Sequence, residues 1–148
     1  MIVLLIALAP VFIILFYVYF RDKYEKEPFK LLLFSLLAGM IIVVPVIIIE
    51  RLILSFQPPM HPLMDAGYNA FLVAALVEEA FKYLALFLII WKSPEFNEKF
   101  DGIVYAVFIS LGFAAVENVL YVVDGGVKTG LLRAITAVPA HALFGVMM

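Results

Sequence analysis

The chain has 148 residues, 66% of them hydrophobic and 15% charged, against roughly 45–50% apolar usage in soluble domains, which excludes a water-soluble fold. A net charge of −2 with no basic stripe argues against nucleic acid as a partner. With no cysteine, disulfides, thiolate metal sites and cysteine nucleophiles drop out, and any chemistry must rest on carboxylates, histidine, lysine or hydroxyls.

The first apolar run, Ile2 to Phe20, carries no basic segment ahead of it and no small-residue cleavage site, so it reads as a retained helix and not a signal peptide. Its aromatic end, Phe16, Tyr17, Tyr19 and Phe20, reads as a membrane-interface belt. A charged loop follows, then the run Phe29 to Phe56, in which Gly39 invites a close helix contact, Pro45 a bend, and Glu50 lies near the end. Pro58, Pro59 and Pro62 break the chain; His61, beside Asp65, reads there as a solvated interface residue. The third run is Tyr68 to Trp91 and the fourth Gly102 to Val123, opened by Asp101, which reads as a helix cap, with Tyr105 as an interface anchor. Gly125, Gly126 and Gly130 precede the last run, Leu131 to Met148, which is shorter than the roughly 20 residues of a span.

In hydrocarbon only helices satisfy their backbone within one segment. The expected fold is therefore all-α, a polytopic transmembrane bundle of four full spans plus a partial fifth, one domain over residues 1–148 that is incomplete at its C-terminus. Arg21, Lys23, Lys26 and Lys30 in the first loop and Lys92 and Lys99 in the third place both on the cytoplasmic side, with the N-terminus outside. Arg51, then Lys128 and Arg133, are the sparser charges of the opposite loops.

A carboxylate at the centre of a lipid-facing helix costs about 2.5–3.5 kcal/mol, so each one must face protein or a wet cavity. Glu78, Glu79 and Lys82 lie in the third run, Glu117 and Asn118 in the fourth and His141 in the last. At about 1.5 Å rise per residue these reach overlapping depths. Lys82 follows Glu78 by four residues and Glu79 by three, within reach of either, whereas the adjacent glutamates point about 100° apart, so only one is expected to face a cleft directly. A single Glu–Lys pair serves as well to lock helices together; a second acidic position and a histidine tip the balance toward chemistry. Asn118 has a structural alternative, bridging to a neighbouring carbonyl, and Tyr121, four residues after Glu117, is placed to donate its hydroxyl to that carboxylate.

Four blocks carry these residues: E-E-A-F-K at Glu78 to Lys82, F-D-G-I-V-Y at Phe100 to Tyr105, G-F-A-A-V-E-N-V-L-Y at Gly112 to Tyr121, and P-A-H-A-L-F-G at Pro139 to Gly145. In this order they resemble the PrsW family of intramembrane proteases. The resemblance covers Tyr68 to the C-terminus and implies a multi-pass protease of a bacterial or archaeal cell membrane, distantly related to the CAAX prenyl protease and bacteriocin-processing membrane families. It implies that Glu78 and Glu79 are catalytic, and that the substrate is a single-span membrane protein such as an anti-sigma factor.

Peptide hydrolysis needs an activated water, a stabilised oxyanion and a proton for the leaving amine. Glu78 is expected to activate water, with Glu79 and Lys82 tuning it, His141 or Asn118 stabilising the oxyanion, and Glu117 orienting His141. Tyr121 and Asp101 complete the supporting set. There is no H-E-x-x-H motif, and one histidine with glutamates is a poor zinc site, so the expected mechanism uses no metal and no other cofactor. The alternatives are a metal-dependent form of the same protease, a proton- or ion-coupled transporter built from the same intramembrane groups, and a scaffold subunit whose polar residues only join helices.

Overall fold

The computed structural model describes residues 2–22 and 26–148. Lys23 and Glu25, which enter the charge balance of the first loop, lie outside the described residues. Helix α1 spans Ile2–Arg21, α2 Phe29–Ser55, α3 Pro62–Gly67, α4 Leu76–Ile90, α5 Lys99–Ile135 and α6 Ala137–Met147; a π-helical stretch, Tyr68–Ala75, joins α3 to α4. Among the described residues there is no strand. Three stretches are long and apolar enough to cross a membrane: Leu4–Arg21, Phe29–Ser55 and Phe100–Met147.

The expected five runs map onto these with two changes. The third run is helical throughout but changes pitch at Ala75–Leu76, so the wider π turn brings the backbone into the straight helix that carries Glu78 and Glu79. The fourth and fifth runs both lie within the stretch from Phe100 to Met147. Gly126 interrupts α5 with φ 72° and ψ −167°, a left-handed conformation that a side chain rarely tolerates. There the chain folds back on itself, and Gly130 comes against Val122. A second break at Thr136 separates α5 from α6.

The first half of α5 is the axis of the fold. Residues 104–115 are buried without interruption, the pattern of a helix surrounded by other helices. One core packs Val11 and Leu15 of α1, Leu32 of α2 and Ile90 of α4 around Tyr105, Phe108 and Leu111. A second joins Val43 and Val46 of α2 to Val77 and Phe113. Helices α2 and α5 meet backbone to backbone: a methyl group on Gly39 would overlap the Ile109 carbonyl, and one on Gly112 the Leu36 carbonyl. The close contact expected at Gly39 is present, and α2 continues as helix through Pro45.

The connections between α1 and α2 and between α4 and α5 lie at one end of the bundle. There α5 opens with a capping box in which Glu98 is the cap and Asp101 the third residue; Asp101 Oδ2 accepts from the amides of Asn97 and Glu98 at 3.0 and 2.7 Å. Asp101 therefore caps from inside the first turn and not ahead of it, because the helix begins three residues earlier than Gly102. Tyr105 is fully buried and donates its hydroxyl to Glu27, so it is not the interface anchor that its position near a helix end implied.

Burial raises the Glu27 carboxyl to about 7, with the Tyr105 hydroxyl opposing the rise and Asp101 and Asp22 adding to it. Because its unfolded value is near 4.5, the folded state holds the extra proton between those two values, and stability falls as pH rises through that window. Glu27→Gln keeps an acceptor for Tyr105 without a charge. Its melting temperature in detergent is expected to exceed that of the parent at pH 8, by the equivalent of roughly 1–3 kcal/mol, and to match it at pH 4. Equal melting curves at pH 8 would show that Glu27 titrates normally.

Candidate active site

Lys82 organises the polar centre. Its side chain is fully buried, and its ammonium lies 2.6 Å from Glu79 Oε1, 3.2 Å from Glu78 Oε2 and 3.0 Å from His141 Nδ1. The Phe113 ring covers it, with the centroid 4.4 Å away. An ammonium has three N–H donors and no acceptor, so all three are used and the ring face supplies the remaining side. Residues three and four positions apart on α4 supply two of these contacts by helix geometry alone; the third, His141, comes from α6.

The Glu78 and Glu79 side chains both reach this cation, although neighbouring helix positions diverge by about 100°. Both also line a cavity of about 250 Å³ with Glu117 and His141. The expectation that only one glutamate faces the cleft is corrected, because the long side chains bend toward a shared positive charge.

A second cation extends the network. His141 Nε2 lies 2.9 Å from Glu117 Oε2, and the Arg133 guanidinium reaches the same oxygen at 2.5 Å. Since Lys82 can only donate, Nδ1 of His141 is the acceptor, and Nε2 carries the proton that it gives to Glu117. Three carboxylates, from Glu78, Glu79 and Glu117, thus face two fixed cations, Lys82 and Arg133.

Asn118 is fully buried and committed at both ends: its amide donates to the Ala7 carbonyl at 2.7 Å, and its oxygen accepts from Arg133 Nε at 2.8 Å. It ties α1 to α5 and aims Arg133, and it is not among the residues that line the cavity beside Glu78 and Glu79. Tyr121 makes no hydrogen bond to Glu117 among the described residues; its ring lies 4.0 Å from the Arg133 guanidinium carbon and holds that group by cation–π attraction. Asp101 is at the far end of α5, in the capping box. His61 is exposed and accepts from the Leu63 amide at the start of α3.

Arg133 is the residue that sequence reasoning missed. Counted as a loop charge, it lies in the return arm of α5, folded against Glu117 and Asn118. Its position three residues inside an apolar run was the available signal, since an intramembrane arginine requires a partner.

One carboxylate oxygen each from Glu78 and Glu79 and one ring nitrogen of His141 lie within 4.8 Å of one another. By donor type this trio suits a divalent ion, two carboxylates and an imidazole with an open position. The centre on which they converge, however, is the Lys82 ammonium. A divalent ion cannot share that point with a buried ammonium, so the residues as packed do not fit a metal.

The profile of a family described as "PrsW family intramembrane metalloprotease" matches residues 27–148. Proteins named Protease PrsW align over nearly the whole chain. That of Geobacillus kaustophilus is 39% identical over 140 residues, 95% of this chain and 60% of the relative. That of Oceanobacillus iheyensis is 37% identical over 146 residues, 95% and 63% respectively, and that of Bacillus subtilis 34% identical over 143 residues, also 95% and 63%. The chain thus spans less than two thirds of the length of these curated relatives. No solved structure gives a significant match.

Proposed function

The chain belongs to the PrsW family of intramembrane proteases, and from that premise we propose that the complete protein is a multi-pass endopeptidase of a bacterial or archaeal cell membrane, with Glu78 as the base that activates water. The supporting observation is the convergence of Glu78, Glu79, Glu117 and His141, from three helices, on one cavity. In this scheme Glu78 takes a proton from water as the water oxygen attacks the peptide carbonyl carbon. The carbon–nitrogen bond then breaks, and the same proton passes to the leaving amine. Lys82 and Glu79 hold Glu78 in place, and Glu117 orients His141. With Asn118 off the cavity wall and the one N–H of His141 given to Glu117, stabilisation of the oxyanion falls to Arg133, which lines the same cavity and whose guanidinium carries five N–H donors.

The substrate class is a single-span membrane protein, of which an anti-sigma factor is the kind the family resemblance implies. The reading also takes residues 2–20, 29–56, 68–91 and 102–123 as four full spans, with 131–148 entering a fifth, and puts the loops at Lys23 and Lys99 in the cytoplasm. Single cysteines at 61 and 128 are expected to react with an impermeant thiol reagent in intact cells, and those at 23 and 99 only after lysis. Reaction at 23 without reaction at 61 inverts the orientation. The activity itself is tested by reconstituting the complete protein with a single-span substrate and following the product by gel.

A further inference from the structure

A second cavity, of about 330 Å³, adjoins the first, with Glu78 and Glu117 in the wall common to both. The first is otherwise lined mainly by alanines, Ala70, Ala74, Ala75, Ala137 and Ala140, which leave space for a peptide backbone beside the carboxylates. The second is lined by Glu50, Arg51 and Asp124 together with Ile47, Phe113 and Leu120. Glu50 and Arg51 lie in the last turns of α2 and Asp124 just before the Gly126 reversal, so this cavity opens toward the end of the bundle that carries the connections after α2 and at Gly126. Among the described residues, Glu50, Arg51 and Asp124 form no ion pair or side-chain hydrogen bond with protein, although each is a strongly hydrated group. Arg51 and Asp124 are exposed near the ends of their helices and Glu50 is half-buried, so water is what remains to hydrate the Glu50 carboxylate.

We propose that this cavity is the route by which water reaches Glu78, with Glu50 as the positioning residue that keeps it hydrated. The proposal rests on the protease reading. Each turnover consumes one water, whose oxygen and one hydrogen enter the new carboxyl group while the other hydrogen goes to the amine. No net proton has to leave, but the water must be replaced while substrate fills the alanine-lined side. A liquid water occupies about 30 Å³, so the cavity has room for on the order of ten. Delivery from the face opposite the peptide lets water reach the catalytic carboxylate without displacing substrate.

The test uses the complete protein freed of any other cysteine, with Ile47→Cys and Glu50→Cys in the cavity and Val44→Cys on the exposed apolar face of α2. A charged methanethiosulfonate reacts only where a thiol meets water. Positions 47 and 50 are expected to be labelled and 44 not, and labelling at 47 is expected to lower kcat by roughly tenfold or more with KM nearly unchanged. Glu50→Leu is expected to show the same loss in kcat, whereas Glu50→Gln, which remains hydrated, stays within about threefold of the parent. Unreactive thiols at 47 and 50 overturn the proposal, as does full labelling without loss of turnover. A labelled protein whose KM rises at constant kcat also overturns it, because the cavity then holds substrate. Labelling is read without any cleavage, so a protein that cleaves nothing but is labelled at 47 and 50 refutes the protease reading and leaves the hydrated cavity established.

Discussion

Glu78→Gln in the complete protein is expected to abolish cleavage of a single-span substrate while leaving insertion, abundance and melting temperature close to those of the parent. Glutamine keeps the size of glutamate and an oxygen that accepts from Lys82, whose ammonium is 3.2 Å from Glu78 Oε2, so the packing survives. What it lacks is the basic oxygen that takes the proton from water. Glu79→Gln is expected to collapse cleavage as well, because Lys82 is then drawn away from the position it holds between the two carboxylates. His141→Ala removes the link between Lys82 and Glu117, and a loss of roughly 10²–10⁴-fold is expected for an acid–base partner. His61→Ala, at an exposed position, should be nearly silent. Full cleavage by both glutamine variants would sink the carboxylate mechanism.

The second large effect is expected at Lys82. Lys82→Met keeps most of the apolar stem of the side chain but leaves two partly buried carboxylates without their cation, and removal of one partner from such a group typically costs about 3–5 kcal/mol. The variant should melt well below the parent. It also vacates the point on which Glu78, Glu79 and His141 converge within 4.8 Å. Zinc is therefore expected to raise the melting temperature of Lys82→Met with the logarithm of its concentration above the dissociation constant, as binding to the folded state alone requires, and to leave the parent unchanged. A chelator is expected to have little effect on cleavage by the parent. If the parent instead loses activity to chelator and regains it with zinc, Lys82 does not hold that centre in the working enzyme, and the metal form of the mechanism takes its place.

These two effects separate what each residue type does from where the fold puts it. Glu78, Glu79, Glu117 and His141 stand out in the sequence because each is costly in hydrocarbon, and the structure gathers all four. Asn118 stands out for the same reason and Tyr121 for its spacing from Glu117, yet the fold uses them to hold α1 and Arg133. Arg133 and Glu50 were read as charges at the ends of apolar runs, and their meaning appears only when the reversal at Gly126 folds the return arm of α5 onto Glu117 and brings Asp124 beside the end of α2.

The sequence by itself determined that the chain is helical, because runs of this length and apolarity leave the backbone no other partner in hydrocarbon. It also determined which side chains demand compensation, because the cost of an isolated charge is a property of the group and its depth. Only the tertiary structure decided which charge compensates which. That depends on which helices are neighbours and on the rotation of each about its axis, and both follow from packing across the whole bundle. Bare backbone at Gly39 and Gly112 lets α2 seat against α5, and the change of pitch at Ala75–Leu76 sets the direction in which Glu78 and Glu79 point. Hydropathy along one helix carries no record of either choice.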